Sequence, residues 1–211
     1  MNSCTWLILL VTIMASLSGS VPWGLIIVRH LKKIDVRTVG SGNIGATNVR
    51  RAAGTSAAVA VLLLDILKGA LPVLVACWLA VPLCGLQGQW AGALASLAAV
   101  SGHMFPVFLM FRPSGKGVAT ALGCFLILSP LAASSALVVY GVIVAITQKS
   151  SLGSLAGCIV LVPAVWISTH NGILTLGALI IAGLIILRHQ ENIKRLLQGN
   201  EPSLKDHSKR H

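Results

Sequence analysis

Of the 211 residues, 55% are hydrophobic and only 10% charged, where a soluble domain carries about 25% charged residues. That deficit excludes an ordinary soluble domain and points to a chain that crosses a membrane several times. The formal net charge of +11 does not signal nucleic-acid binding, because Lys and Arg, Lys68 excepted, fall between or after apolar runs, with no basic helix or aromatic platform clear of them.

Runs without Asp, Glu, Lys or Arg cover 2–28, 69–111, 117–148 and 150–187. Each exceeds the roughly 20 residues needed to cross a hydrocarbon core. Unpaired backbone groups are too costly in lipid, so these runs are read as helices and the fold class as all-α, a polytopic integral membrane protein. The pattern predicts helix 1 over Thr5–Val28, ending in Arg29-His30-Leu31-Lys32-Lys33. No basic segment precedes it, so a cleaved signal peptide is not expected. Helix 2 is expected over Thr55–Ala80 and helix 3 over Trp90–Met110. Ser129-Pro130 splits the next run into a short helix 4 and a helix 5 ending near Thr147, since proline cannot continue the helical ladder. Thr169-His170-Asn171-Gly172 divides the last run into helices 6 and 7.

About seven transmembrane helices then place the N-terminus outside and the C-terminus in the cytoplasm. The outward loops 81–89, 129–131 and 169–172 carry no charge, whereas the basic segments face inward. Trp6, Trp78, Trp90 and Trp166 fall near the outer interface and Trp23 near the inner one. Residues 1–199 are expected to form one transmembrane domain and 200–211 a polar, disordered tail. Cys4, Cys77, Cys84, Cys124 and Cys158 are odd in number and form no C-x-x-C pair, so they are read as packing residues, not as a disulfide or metal set.

Four polar segments interrupt this apolar background. In Gly40-Ser41-Gly42-Asn43-Ile44-Gly45-Ala46-Thr47-Asn48-Val49-Arg50-Arg51, closely spaced glycines permit positive φ and let backbone N–H groups approach a ligand. Ser41, Asn43, Thr47 and Asn48 add hydrogen-bonding groups, and Arg51 offers a planar fork for phosphate. The same loop could also simply cap helix 2. In the second, Gly102-His103-Met104-Phe105-Pro106 leads to Arg112-Pro113-Ser114-Gly115-Lys116-Gly117, where an ammonium, free amides and a helix start form an anion cradle. It is not a Walker A loop, for Met110 stands where that motif needs glycine and Gly117 where it needs Ser or Thr. The third, Ser150-Ser151-Leu152-Gly153-Ser154, also fits ordinary helix capping. In the fourth, His189 and Asn192 share a helical face, and Glu191 is spaced to pair with Arg195. Asp65 and Lys68 lie one turn apart within helix 2 and are expected to neutralise each other.

A cationic, small-residue site of this kind suits a small phosphate metabolite and a second substrate with an acyl chain. A transporter of a phosphorylated metabolite is the alternative, though a carrier wants its site near the midplane. His30 and Asp35 have the H-x4-D spacing of another acyltransferase mechanism, a spacing that also arises readily by chance.

The motifs G-S-G-N-I-G-A-T-N-V-R-R, G-H-x-F-P-V-F, G-K-G-V-A-T, S-L-G-S and H-x-x-N-I-K-R-L-L-x-G-x-E together resemble the bacterial acyl-phosphate:glycerol-3-phosphate acyltransferase family (the PlsY type). The resemblance runs in order from Gly19 to Glu201 and includes D-I-L-K-G at 65–69. It implies an enzyme of the bacterial inner membrane, with its active site on the cytoplasmic side. That enzyme makes 1-acyl-glycerol-3-phosphate from glycerol-3-phosphate and acyl phosphate, as the first step of phospholipid synthesis. It would need no cofactor or metal, would be coupled functionally to an acyl-phosphate-forming enzyme, and would work within membrane lipid. By motif, Ser41, Arg51, His189 and Asn192 would be catalytic. Gly42, Asn43, Thr47, Asn48, His103, Gly115, Lys116, Gly117, Ser151 and Ser154 would bind substrate, and Glu191 would be mainly structural. Two positions depart from the family: Pro113-Ser114 precede Gly115 where it usually has another glycine, and Gln190 stands where it often has a basic residue.

Overall fold

A computed structural model describes residues 2–85 and 88–205, with the side chain of Gln89 excepted. Among them the regular structure is entirely helical. By length and composition five helices can cross a membrane, or six if a bent pair near the C-terminus counts as one span. The chain divides into two compact units with the boundary at Leu128/Ser129.

The first unit starts with α1 (Ser3–Ser20) and α2 (Trp23–Lys32). The single helix expected over Thr5–Val28 is thus broken at Val21-Pro22, because proline has no N–H to carry the ladder onward. A short turn at Val36–Thr38 leads to α3 (Ala46–Ala53), so the second half of the glycine-rich motif is helical rather than loop. Next come α4 (Thr55–Cys84), four residues longer than expected, and α5 (Gln89–Met104). The latter stops short of Met110 because Phe105-Pro106 end it, and a turn at Val107–Leu109 follows. The unit closes with α6 (Val118–Leu128). At 11 residues α6 rises only about 17 Å, well short of a hydrocarbon core of roughly 30 Å.

Lipid supplies no hydrophobic force between helices, so close backbone contact at small residues must hold them. A Cβ on Gly19 of α1 would strike the Ala99 carbonyl of α5, and one on Gly102 would meet the Ser16 carbonyl. Across α4 and α6, Gly69 abuts Thr120 and Gly123 abuts the Ile66 carbonyl. Near the other end of α4, Leu25, Val28, Val36, Ile44, Val49, Ala57, Ala58 and Val61 form a buried cluster under the glycine-rich loop. Cys4 and Cys84 are joined by a disulfide with a Cα–Cα distance of 5.5 Å. This corrects the reading of all five cysteines as packing residues; Cys77, Cys124 and Cys158 remain thiols.

The second unit contains α7 (Pro130–Thr147), α8 (Ser150–Thr169), α9 (Gly172–Arg188) and α10 (Gln190–Leu197). Its breaks fall at the expected positions: Ser129 caps α7, and Asn171 accepts the Ile173 and Leu174 amides at the start of α9. Gly153 of α8 packs on Tyr140 of α7, whose hydroxyl lies 3.0 Å from Ser150 Oγ. Ala178, Ile181, Ala182 and Ile185 form the buried stripe of α9. At His189 the chain bends by 61° into α10. Within the segment expected to be a disordered tail, Glu201 is tied to α8 and α10, as set out below; 206–211 lie outside the described residues.

Candidate active site

In the first unit the glycine-rich loop is built around Asn48. Its side-chain oxygen accepts the Ser41 amide at 3.0 Å, and its nitrogen donates to the carbonyls of Val36, Val39 and Asn43 at 2.9–3.0 Å. With 2% of its surface exposed, Asn48 shapes the loop from beneath, a task the motif alone did not reveal. Asn43 Oδ1 accepts the Gly45 amide at 2.8 Å and so leads the chain into α3. Gly40 and Gly42 have φ of 55° and 68°, which side-chain-bearing residues rarely adopt. Gly40 also leaves room for Arg51: a Cβ there would meet Asn48 Oδ1 and lie 3.2 Å from Arg51 Cδ. The half-buried Arg51 therefore reaches back along the loop from α3, while Ser41 and Thr47 are exposed. No side chain caps α3, so its first amides add to the positive end of the helix dipole.

The second loop of this unit runs from Pro106 to Gly117. Ser114 is buried; its amide donates to the Met104 carbonyl at 3.0 Å and its hydroxyl to that of Arg112 at 2.8 Å. Ser114, at a position where the sequence resemblance implies glycine, is thus accommodated by local hydrogen bonds. His103, 3% exposed, lies with its Nε2 edge against Gly115, where any Cβ would collide with the ring. Gly117, at φ 81°, hands the chain to α6, and the half-buried Lys116 sits between the two glycines.

The second unit gathers Ser151, Ser154, His189 and Asn192, all buried. Ser154 Oγ donates to the Ser150 carbonyl at 3.0 Å, an intrahelical bond. Ser151 Oγ donates to Glu201 Oε1 at 2.6 Å, Asn192 Nδ2 donates to the same oxygen at 2.7 Å, and Arg195 Nε donates to Oε2 at 2.8 Å. Burial alone would raise the Glu201 pKa, but these bonds from Ser151, Asn192 and Arg195 outweigh it and hold the carboxyl below its usual range. Local spacing gives no signal for Glu201, whose role depends on tertiary contact. Arg195 was expected to pair with Glu191, yet Glu191 meets Lys194 at 3.1 Å on the exposed face. The chain turns back after Gly199, at φ 72°, and brings Glu201 to Arg195 instead. His189 Nδ1 lies 2.8 Å from the Ile185 carbonyl. An acceptor there selects the tautomer with the proton on Nδ1, so the neutral ring keeps its lone pair on Nε2.

Asp35 is engaged elsewhere. Arg37 Nη2 donates to it at 2.6 Å and the Arg37 amide at 2.9 Å, and these bonds hold its pKa below the ordinary value despite partial burial. The His30/Asp35 pairing of the H-x4-D reading is therefore not formed. Among the described residues no group of three or more His, Cys, Asp and Glu could hold a metal ion.

Residues 9–199 match the family model described as glycerol-3-phosphate acyltransferase. A glycerol-3-phosphate acyltransferase of Anaeromyxobacter sp. (strain Fw109-5) is 47% identical over 191 residues, covering 90% of this chain and 92% of the relative. One from Geobacter sulfurreducens is 44% identical over 197 residues, covering 93% and 97%. Among solved structures, the glycerol 3-phosphate form of PlsY (YgiH), an integral membrane glycerol 3-phosphate acyltransferase, superposes with a TM-score of 0.85 at 41% identity, covering 93% of this chain and 94% of that one. Its lysophosphatidic acid form gives 0.83 at 40% identity. Helical architecture, two glycine-rich loops and near-full-length matches agree, and the chain belongs to the glycerol-3-phosphate acyltransferase family.

Proposed function

We propose that this chain transfers an acyl group from acyl phosphate to the 1-hydroxyl of glycerol-3-phosphate, giving lysophosphatidic acid and inorganic phosphate. The observation that carries the reading is the glycine-rich loop shaped by Asn48, which presents Ser41 and Arg51 together, in a chain whose full-length relatives are glycerol-3-phosphate acyltransferases. Acyl phosphate is a mixed anhydride with a good leaving group, so positioning and charge neutralisation supply most of the catalysis. The 1-hydroxyl oxygen attacks the acyl carbon, the acyl–phosphate bond breaks, and inorganic phosphate leaves.

Arg51 and Lys116 would offset the repulsion between two phosphate groups, with Lys116, Gly115 and Gly117 holding glycerol-3-phosphate. Ser41 and the amides of the Gly42–Asn43 segment would stabilise the oxyanion, with Thr47 at their edge. Ser151, Ser154 and Asn192 would serve phosphate binding. His189, whose Nδ1 faces a carbonyl, would take the hydroxyl proton on Nε2; a substrate phosphate oxygen is the other acceptor.

The protein would reside in the bacterial inner membrane with its active site on the cytoplasmic side, counting α6 as a short seventh span and placing the N-terminus outside. The Cys4–Cys84 disulfide supports that orientation, since such bonds persist on the oxidising side of a membrane. Residues 1–199 would act as one transmembrane domain, beside a soluble enzyme that makes acyl phosphate.

The test is acyl transfer by purified protein to labelled glycerol-3-phosphate, with palmitoyl phosphate and palmitoyl-coenzyme A offered separately and Lys116→Ala as control. Product from the acyl phosphate alone, lost in the variant, is expected. Product from the thioester alone overturns the donor assignment, and no product from either donor with folded protein overturns the function.

A further inference from the structure

The buried charges of α4 take no part in the reaction as described. Asp65 and Lys68 are 3% and 5% exposed, and His103 of α5 beside them 3%. Lys68 Nζ lies 2.8 Å from Asp65 Oδ1. It also donates to the Val21 carbonyl at 2.9 Å, at the residue before Pro22 where α1 gives way to α2. Ser18 fastens the same junction by donating its hydroxyl to the Lys68 carbonyl at 3.0 Å. On the other side, His103 Nδ1 faces the same Asp65 oxygen at 3.6 Å. The opposite edge of that ring lies against Gly115.

One carboxylate oxygen thus stands between two fixtures. Through Lys68 it reaches the α1–α2 break. There Gly24 lies so close to the Ile44 carbonyl that a Cβ would overlap it, which joins α2 to the base of the Ser41 loop. Through His103 it reaches the loop that carries Lys116. Buried ion pairs seldom hold a fold better than well-packed apolar residues of the same volume, so stability alone does not account for this one. Shared contact with the supports of both loops does.

We infer that Asp65, partnered by Lys68, is a positioning residue: it fixes His103, which sets the Gly115 backbone and hence where Lys116 presents its ammonium. This rests on the reading above that Lys116 holds glycerol-3-phosphate. His103 then acts as a support behind the loop, and its imidazole has no need to touch substrate.

The experiment is steady-state kinetics on the full-length protein, varying glycerol-3-phosphate and palmitoyl phosphate in turn. Asp65→Asn raises KM for glycerol-3-phosphate about tenfold or more, while kcat and KM for palmitoyl phosphate change less than about threefold. His103→Gln gives the same split, and the double variant is within about twofold of the worse single one, because both act through one contact. Asp65→Asn leaves a buried ammonium unpaired, so the Asp65→Asn/Lys68→Met variant, which removes both charges, is the companion that keeps the fold. A merely structural role predicts lower active fraction and unchanged KM. An unchanged KM for glycerol-3-phosphate in the folded variants, or multiplying effects of Asp65→Asn and His103→Gln, overturns the inference alone, provided the wild type is active and Lys116→Ala loses transfer. A wild type that transfers no acyl group to glycerol-3-phosphate overturns the functional reading and the inference together.

Discussion

Replacing Glu201 by Ala removes the acceptor for three hydrogen bonds at once. Bonds to a charged group contribute about 1.5–3 kcal/mol each, so the two from Ser151 and Asn192, both 7% exposed, are worth roughly 3–6 kcal/mol together. Arg195, with 36% of its side chain exposed, can turn to water and adds at most about 1 kcal/mol. The loss is local, and the Leu204 amide reports it, because it donates to the Gln148 carbonyl at 2.8 Å just beyond Glu201. Undocking made easier by 3 kcal/mol or more accelerates hydrogen exchange there by at least about 100-fold. The pH dependence has a definite sign. The folded pKa of Glu201 lies below its ordinary 4.5, so its stabilisation is full above that value and fades as pH falls through the folded one. The exchange ratio between variant and wild type should shrink accordingly in acid. Acyl transfer should fall about tenfold or more at neutral pH, since Ser151 and Asn192 lose their common anchor. Leu204 exchange within about threefold of wild type at neutral pH would refute the argument that this carboxylate holds the tail.

Three further outcomes follow from the packing. Asn48→Ala, which strips four hydrogen bonds from the Ser41 loop, should cost about 2–4 kcal/mol and abolish most transfer, read by thermal unfolding in detergent alongside the activity assay. Gly183→Ala, where a Cβ meets nothing within 4 Å, should stabilise the protein by about 0.5–1 kcal/mol; Gly123→Ala, which drives a methyl group into the Ile66 carbonyl, should lower the melting temperature instead. Thiol labelling of denatured protein should find Cys77, Cys124 and Cys158 before reduction and all five cysteines after it; Cys4→Ser should cost about 2–4 kcal/mol.

The sequence exposed the helix ends at Ser129-Pro130 and Thr169–Gly172, where polar residues interrupt the apolar runs, although proline alone is no such signal, since Pro72, Pro82 and Pro163 lie inside helices. It hid the break at Val21-Pro22, because apolar residues continue on both sides and hydropathy does not register a lost N–H. The disulfide was equally hidden: cysteines 80 residues apart look like packing residues until the two helices stand side by side. Local spacing misled at Arg195, where an i, i+4 partner lost to a carboxylate returned by a turn. It also misled at Asn48, whose amide looked ligand-facing but satisfies the loop's own backbone. The glycine-rich loop, the lysine loop and the His189/Asn192 face could be picked out as candidate site segments because residue type and short spacing mark them. Their supports, Asp65 for one loop and Glu201 for Ser151 and Asn192, depend on tertiary contact.

The bond between Cys4 and Cys84 also bears on biogenesis. Its halves lie near the start of the first helix and at the end of the 30-residue α4, so it cannot close until the ribosome has delivered both segments. On the orientation proposed above, with the N-terminus outside, a chain threaded backwards would leave these thiols in a reducing compartment and keep them open, so the covalent link would serve as a record of correct insertion.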